Sequence, residues 1–207
     1  MRGLIQKDFY LMFKYCKMVM LISLVFTCVP VFAGEGSAFI MFYPFVIATM
    51  LPVSVISYDE RDKWNTYCGT LPVTRADYVS AKYICGIVIM LVLLVVGAAS
   101  QYIAAVRAGS FSVAKYLSLL ATLTLIGCAA PGFALPFVLK LGVEKGRIAY
   151  YIIIGFFCAI SVWLPDNADF AQGGIGVASP VMLIAAAVVI YAVSWYLSIH
   201  FYEKREL

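Results

Sequence analysis

Between Tyr58 and Tyr83 the chain reads YDERDKWNTYCGTLPVTRADYVSAKY, and here its sparse charges gather. Asp59, Glu60, Arg61 and Lys63 stand beside Trp64 and Tyr67, with Arg75 and Lys82 following. An aromatic ringed by polar groups has the chemistry of a docking knob, so this stretch is the best candidate for a contact surface. The competing reading makes Trp64 and Tyr67 interfacial anchors, a role both residue types favour at a membrane surface. Locally, 59–68 is compatible with one short helix ended by Gly69, and Pro72 forces an extended backbone at Leu71. Thr74 can then cap a new helix, with Asp77 three residues on completing an approximate capping box.

Catalytic chemistry finds no such concentration. The single histidine, His200, lies at the end of an apolar run, where it reads as an interfacial polar tip. No H-E-x-x-H, G-x-S-x-G or G-x-x-x-x-G-K-[ST] occurs, so no zinc hydrolase, serine hydrolase or ATP-binding loop is encoded. The chain is therefore not read as an enzyme, and no metal or cofactor is expected to bind it. Its six cysteines show no zinc-like spacing and read as small apolar packing residues.

The elements that must position the charged stretch are membrane helices. Apolar residues make up 64% of the 207 positions and charged ones 13%, with a mean hydropathy of +0.96. Soluble domains run nearer roughly 45–50% and about 25%. Crossing a hydrocarbon core of about 30 Å takes about 20 apolar residues in a helix. Six runs approach that length, at 18–33, 38–57, 83–106, 116–139, 148–164 and 179–201, and they predict an all-α, six-span membrane protein in a single domain. None alternates as a barrel strand would. The first run is read as a structural span rather than a cleaved signal, because another spanning run follows directly.

Cations orient these spans. Thirteen of the 15 Lys and Arg residues fall at the amino terminus, in the 58–82 connection, at 140–147 or in the tail. Only Arg107 and Lys115 fall on the other side, which predicts cytoplasmic termini. On a helical projection of 1–17, Leu4, Ile5, Phe9, Leu11, Met12, Tyr15 and Cys16 share one half. Arg2, Gln6, Lys7, Lys14 and Lys17 share the other, while Asp8 breaks the apolar face. This pattern suits an amphipathic helix in the headgroup layer, held at the interface by Lys7, Lys14 and Lys17. Spans without internal charge weigh against a proton- or ion-coupled carrier, though helix breaks at Pro44, Pro52, Pro131 or Pro136 could supply carbonyl ligands. Such prolines more often make kinks whose freed carbonyls are satisfied by neighbours.

The chain resembles the membrane subunits of type 2 ATP-binding-cassette exporters over essentially its whole length. The resemblance rests on Asp59, Glu60, Arg61 and Lys63 after the second span, then Leu71-Pro72-Val73-Thr74-Arg75, then Lys82 and Tyr83. Many relatives carry Gly-Thr-Leu-Glu after the charged run. This chain has Trp64-Asn65-Thr66-Tyr67, more similar to compact permeases that export amphipathic peptides, including phenol-soluble modulins.

The resemblance implies a permease half that dimerises with an identical or paralogous half and sits over a separate ATPase, which alone binds ATP. A coupling helix within 59–70 would seat in that ATPase. Asp59, Glu60, Arg61, Lys63, Trp64, Tyr67, Leu71, Pro72 and Arg75 would serve the coupling contact. The expected setting is a bacterial plasma membrane, with the lipid bilayer as a further partner and no nucleic acid. A secondary carrier and a membrane scaffold or immunity protein are the alternatives.

Overall fold

The computed structural model describes residues 2–33, 42–48, 50–68, 74–109, 112–146, 148, 151–152 and 179–204. Nine helices account for nearly all of them: α1 (Arg2–Tyr15), α2 (Lys17–Cys28), α3 (Pro30–Ala33), α4 (Phe42–Ala48), α5 (Met50–Arg61), α6 (Trp64–Cys68), α7 (Arg75–Ala108), α8 (Val113–Leu141) and α9 (Pro180–Glu203). Four stretches are long and apolar enough to cross a membrane: Phe42–Arg61, Arg75–Arg107, Tyr116–Leu141 and Pro180–Tyr202. They match four of the six predicted spans. A fifth is reached if the bent pair Gly3–Tyr15 and Lys17–Phe32 counts as one span. The predicted 148–164 span and the following 165–178 connection lie largely outside the described residues.

The bend between α1 and α2 is 79°. It falls at Cys16, whose φ of −105° and ψ of 11° leave the helical region. In α2, the buried hydroxyls of Ser23 and Thr27 donate to the Met20 and Ser23 carbonyls at 2.8 and 2.7 Å, so neither seeks a partner outside the helix.

α7 is the mast of the molecule. Its start is fixed by the reciprocal cap: the Asp77 amide donates to the Thr74 hydroxyl at 3.1 Å, and the Thr74 amide donates to the Asp77 carboxylate at 3.3 Å. Its end is fixed by Gly109 at φ 66°, a left-handed conformation in which a Cβ would be strained. With 34 residues it extends about 51 Å at about 1.5 Å per residue. That exceeds a hydrocarbon core of about 30 Å, so α7 has length to spare beyond a bilayer.

α8 and α9 pack against one another and against α7. The inward face of α9 carries Leu183, Ala187, Tyr191, Ser194, Ser198 and Tyr202, while Val181, Val188, Val189 and Val193 face outward. Small and polar residues inside, with aliphatics outside, is the pattern of a helix packed in lipid. Tyr83, fully buried, stacks on Trp195 with ring centroids 5.5 Å apart, and its hydroxyl lies 2.7 and 2.6 Å from those of Ser194 and Ser198.

α8 runs unbroken through Pro131 and Pro136. Pro136 has no N–H to give the Gly132 carbonyl, four residues earlier. Ser194 of α9 supplies the missing donor at 2.6 Å. The backbone group freed by the proline is thus satisfied by a neighbouring helix, as expected.

Cations collect at one end of this bundle. Arg75 and Lys82 lie at the first end of α7 and Arg107 at the other, where it donates to the Val31 carbonyl at 3.3 Å. Lys140, at the far end of α8 from Val113, sits 4.7 Å from the Phe201 ring centroid near the end of α9. The stacked Tyr78–Tyr202 rings bring the starts of α7 and the end of α9 together there.

Candidate coupling site

The charged stretch departs from the expected layout from its first residues. The helix of the second span does not stop near Ser57 but continues through Tyr58, Asp59 and Glu60 to Arg61. Charge does not end it because its carboxylates are satisfied within the protein. Asp59 is buried. Its Oδ1 accepts from Lys7 Nζ at 2.7 Å, and its Oδ2 accepts from Lys82 Nζ at 2.6 Å and from the Tyr78 hydroxyl at 3.0 Å.

Asp8 completes the cluster. Its Oδ1 accepts from Lys82 at 2.7 Å and lies 3.3 Å from Lys7 Nζ. Two ammonium groups from α1 and α7 thus face two carboxylates from α1 and α5, with no net charge, and Asp8, Asp59 and Lys82 are each at most 2% exposed. Tyr78 and Lys82, four residues apart in α7, share one helix face as the arrangement requires. Among the described residues, Asp8 Oδ2 has no hydrogen-bond partner.

The face of α1 predicted to meet lipid is turned inward. Leu4, Met12 and Cys16 are buried with Asp8, and Ile5, Phe9 and Leu11 pack against the core formed with Phe45, Leu51, Val55, Cys85, Ile89, Leu93 and Leu123. Tyr10, Phe13, Lys14 and Lys17 face outward. The cause is the carboxylate: Asp8 on an apolar face needs cations, and Lys82 supplies one only if α1 lies along α5 and α7.

Glu60 points the other way along the same layer, its Oε2 accepting from the Val143 amide at 3.1 Å just past α8. Adjacent acids of α5 therefore tie it to α1, α7 and α8. After Arg61 the chain reverses through Asp62 and Lys63, the latter at φ 53°, a left-handed conformation uncommon for a residue with a Cβ. The expected single helix over 59–68 is broken here, and α6 begins at Trp64.

Trp64 is half-buried against the core that includes Val53, Ile56, Tyr78 and Leu139. Lys7 Nζ lies 4.4 Å from its ring centroid, within the range of a cation–π contact. Tyr67 tilts against Trp64 at 5.3 Å and is 57% exposed. Cys68 closes the helix on the inner side, and burial pushes its thiol above the ordinary range, with the Lys7 charge opposing.

The residues expected to serve the coupling contact thus divide. Asp59 faces inward, Glu60 and Trp64 are partly covered, and Arg61, Lys63, Tyr67 and Arg75 face outward. Of the lysines expected at the membrane interface, Lys7 is partly covered, while Lys14 and Lys17 face outward. Leu71 and Pro72 lie outside the described residues. Asp8 and Tyr78 were missed as site residues, although Asp8 carried a signal: a carboxylate interrupting an apolar helix face.

Taken together, a short helix that presents Tyr67 outward rides on a buried, charge-balanced joint at one end of a bundle of apolar helices. Among the described residues no cluster of His, Cys, Asp and Glu could hold a metal ion. Residues 3–203 match the family described as ABC-2 family transporter protein. The chain belongs to that family. Searches of curated proteins and of solved structures gave no match. As an ABC-2 family chain it is a multi-pass membrane protein of the permease kind, a class that is typically non-catalytic and works with an ATPase partner.

Proposed function

We propose that the chain is the permease half of an ATP-driven exporter, with six spans, cytoplasmic termini and α6 as its coupling helix. Two copies, or this chain and a paralogue, form the pathway, and a separate ATPase subunit seats α6 in a cleft. The observation that carries this reading is the division of labour around α6. Tyr67, Arg61 and Lys63 are presented outward, while Trp64, Asp59 and Glu60 fasten the same segment to α1, α7 and α8.

Closure of the ATPase pair on ATP would displace α6, and a bistable interface would turn that displacement into rearrangement of the spans. The charge-free stretch of α7 from Tyr83 to Val106 and the aliphatic surface of α9 suit amphipathic peptides or other hydrophobic cargo, whereas a sugar or ion would require more polar groups. The buried ions lie near one end of α7 rather than midway along it, which is not where an ion-coupled carrier needs them.

The test is co-purification with an ATP-binding-cassette ATPase from the same cell, followed by replacement of Trp64 and Tyr67 together by Ala. The double variant is expected to insert normally and to lose ATP-dependent transport. Failure of the wild-type chain to form any complex with an ATPase, or normal transport by the double variant, would refute the coupling role of α6.

A further inference from the structure

Lys7 belongs to three groups at once. Its ammonium lies 4.4 Å from the centroid of the Trp64 ring on α6, 2.7 Å from Asp59 Oδ1 on α5 and 3.3 Å from Asp8 Oδ1 on α1. The same two carboxylates hold Lys82 of α7, through Asp8 Oδ1 at 2.7 Å and Asp59 Oδ2 at 2.6 Å. At 22% side-chain exposure Lys7 is the accessible member of the cluster, while Lys82 and Asp8 are each 1% exposed. It is therefore the one cation with room to move.

Resting on the coupling role of α6 argued above, we propose that Lys7 is the positioning residue through which movement of α6 reaches α7. Trp64 holds the ammonium by its ring face, so displacing α6 displaces Lys7. The nearer carboxylate is then exchanged for the farther one. Asp8 has acceptor capacity for this, since its Oδ2 has no hydrogen-bond partner among the described residues. As Lys7 leaves Asp59 for Asp8, Lys82 gives up Asp8 and keeps Asp59 alone, which turns the start of α7. Lys7 and Lys82 each touch both carboxylates in this structure, and the exchanged arrangement also keeps every charge opposed, so the joint can change partners without leaving a buried charge alone. Partner exchange also explains why the joint is ionic rather than apolar, because packed aliphatic groups would fix one arrangement only.

Hydrogen exchange by mass spectrometry on the complex of this chain with its ATPase, in nanodiscs, tests the proposal. The nucleotide-free complex is compared with that trapped by ATP and orthovanadate. Four proteins are compared: wild type, Trp64→Phe, Trp64→Leu, and Lys7→Met with Asp8→Asn. The paired substitution leaves Lys82 opposite Asp59 and so stays charge-balanced.

In the wild type, α6, α1 and the first turns of α7 are expected to change protection together on trapping. Trp64→Phe keeps a ring face and should preserve that pattern. Trp64→Leu keeps apolar volume without the ring face, and the paired variant lacks the ammonium. Both should retain the change at α6 and lose it at α1 and α7. Persistence of the α1 and α7 change in either, or its loss in Trp64→Phe, overturns the role of Lys7. No change at α6 in the trapped wild type instead overturns the coupling role of α6 itself.

Discussion

At the scale of single residues, Lys82 poses the sharpest question, since it is 1% exposed and carries a charge. Desolvating an ammonium costs several kcal/mol, which Asp8 and Asp59 offset only while both stay in place. Replacing Lys82 by Met should therefore destabilise the protein by about 3–5 kcal/mol, because two carboxylates would share Lys7 alone. Adding Asp8→Asn restores balance and should recover most of the loss. Thermal unfolding in detergent checks both, and equal melting temperatures for the single and double variants would contradict the shared-charge account.

Cys68 gives a second expectation at this scale. Burial raises its thiol pKa, so below that value its thiolate fraction is smaller than that of an ordinary thiol at the same pH. Since the thiolate is the nucleophile, alkylation by a maleimide near neutral pH should be slower than for a small free thiol and should accelerate as pH rises. Peptide-resolved mass spectrometry measures this. Labelling as fast as glutathione would show that α6 does not hold Cys68 inward.

Elements show how far local rules reach. The Thr74–Asp77 cap was legible because its donors and acceptors lie three residues apart, and the span ending near Tyr202 was legible from apolar length. The inward turn of α1 was not. A helix projection finds two faces but cannot say whether lipid or protein covers the apolar one, and the answer here depends on Lys82, 74 residues beyond Asp8. The break at Lys63 escaped for a related reason: its left-handed backbone follows from α5 and α6 docking on one core, not from its residue type.

The partner of Gly132 is equally non-local, and it yields a prediction about α8 and α9. Ser194→Ala would strand a carbonyl that Pro136 already deprives of its helical donor, at a cost of about 1–3 kcal/mol. Pro136→Ala returns an N–H to the Gly132 carbonyl. In that background Ser194→Ala should cost distinctly less, so a double-mutant cycle on melting temperature should show coupling between residues 58 positions apart. Additive effects would mean that the proline, the carbonyl and the serine are energetically unrelated.

For the whole molecule, the proposed orientation rests on the arrangement of charge. Arg61, Lys63 and Arg75 are exposed at the end of the bundle where α6 lies, and Arg107 stands at the opposite end of α7. Cation-rich ends are retained in the cytoplasm during insertion. Trypsin added to sealed inverted membrane vesicles should therefore cut after Arg61 or Lys63, separating a fragment that ends with α5 from one that contains α7 to α9. Right-side-out vesicles should protect the same bonds. Bound ATPase should slow the cut in inverted vesicles, because a cleft that receives α6 also covers the turn at Asp62 and Lys63 leading into it. Cleavage from the outer face alone would place α6 where no ATPase can reach it, and the coupling role would fall with the orientation.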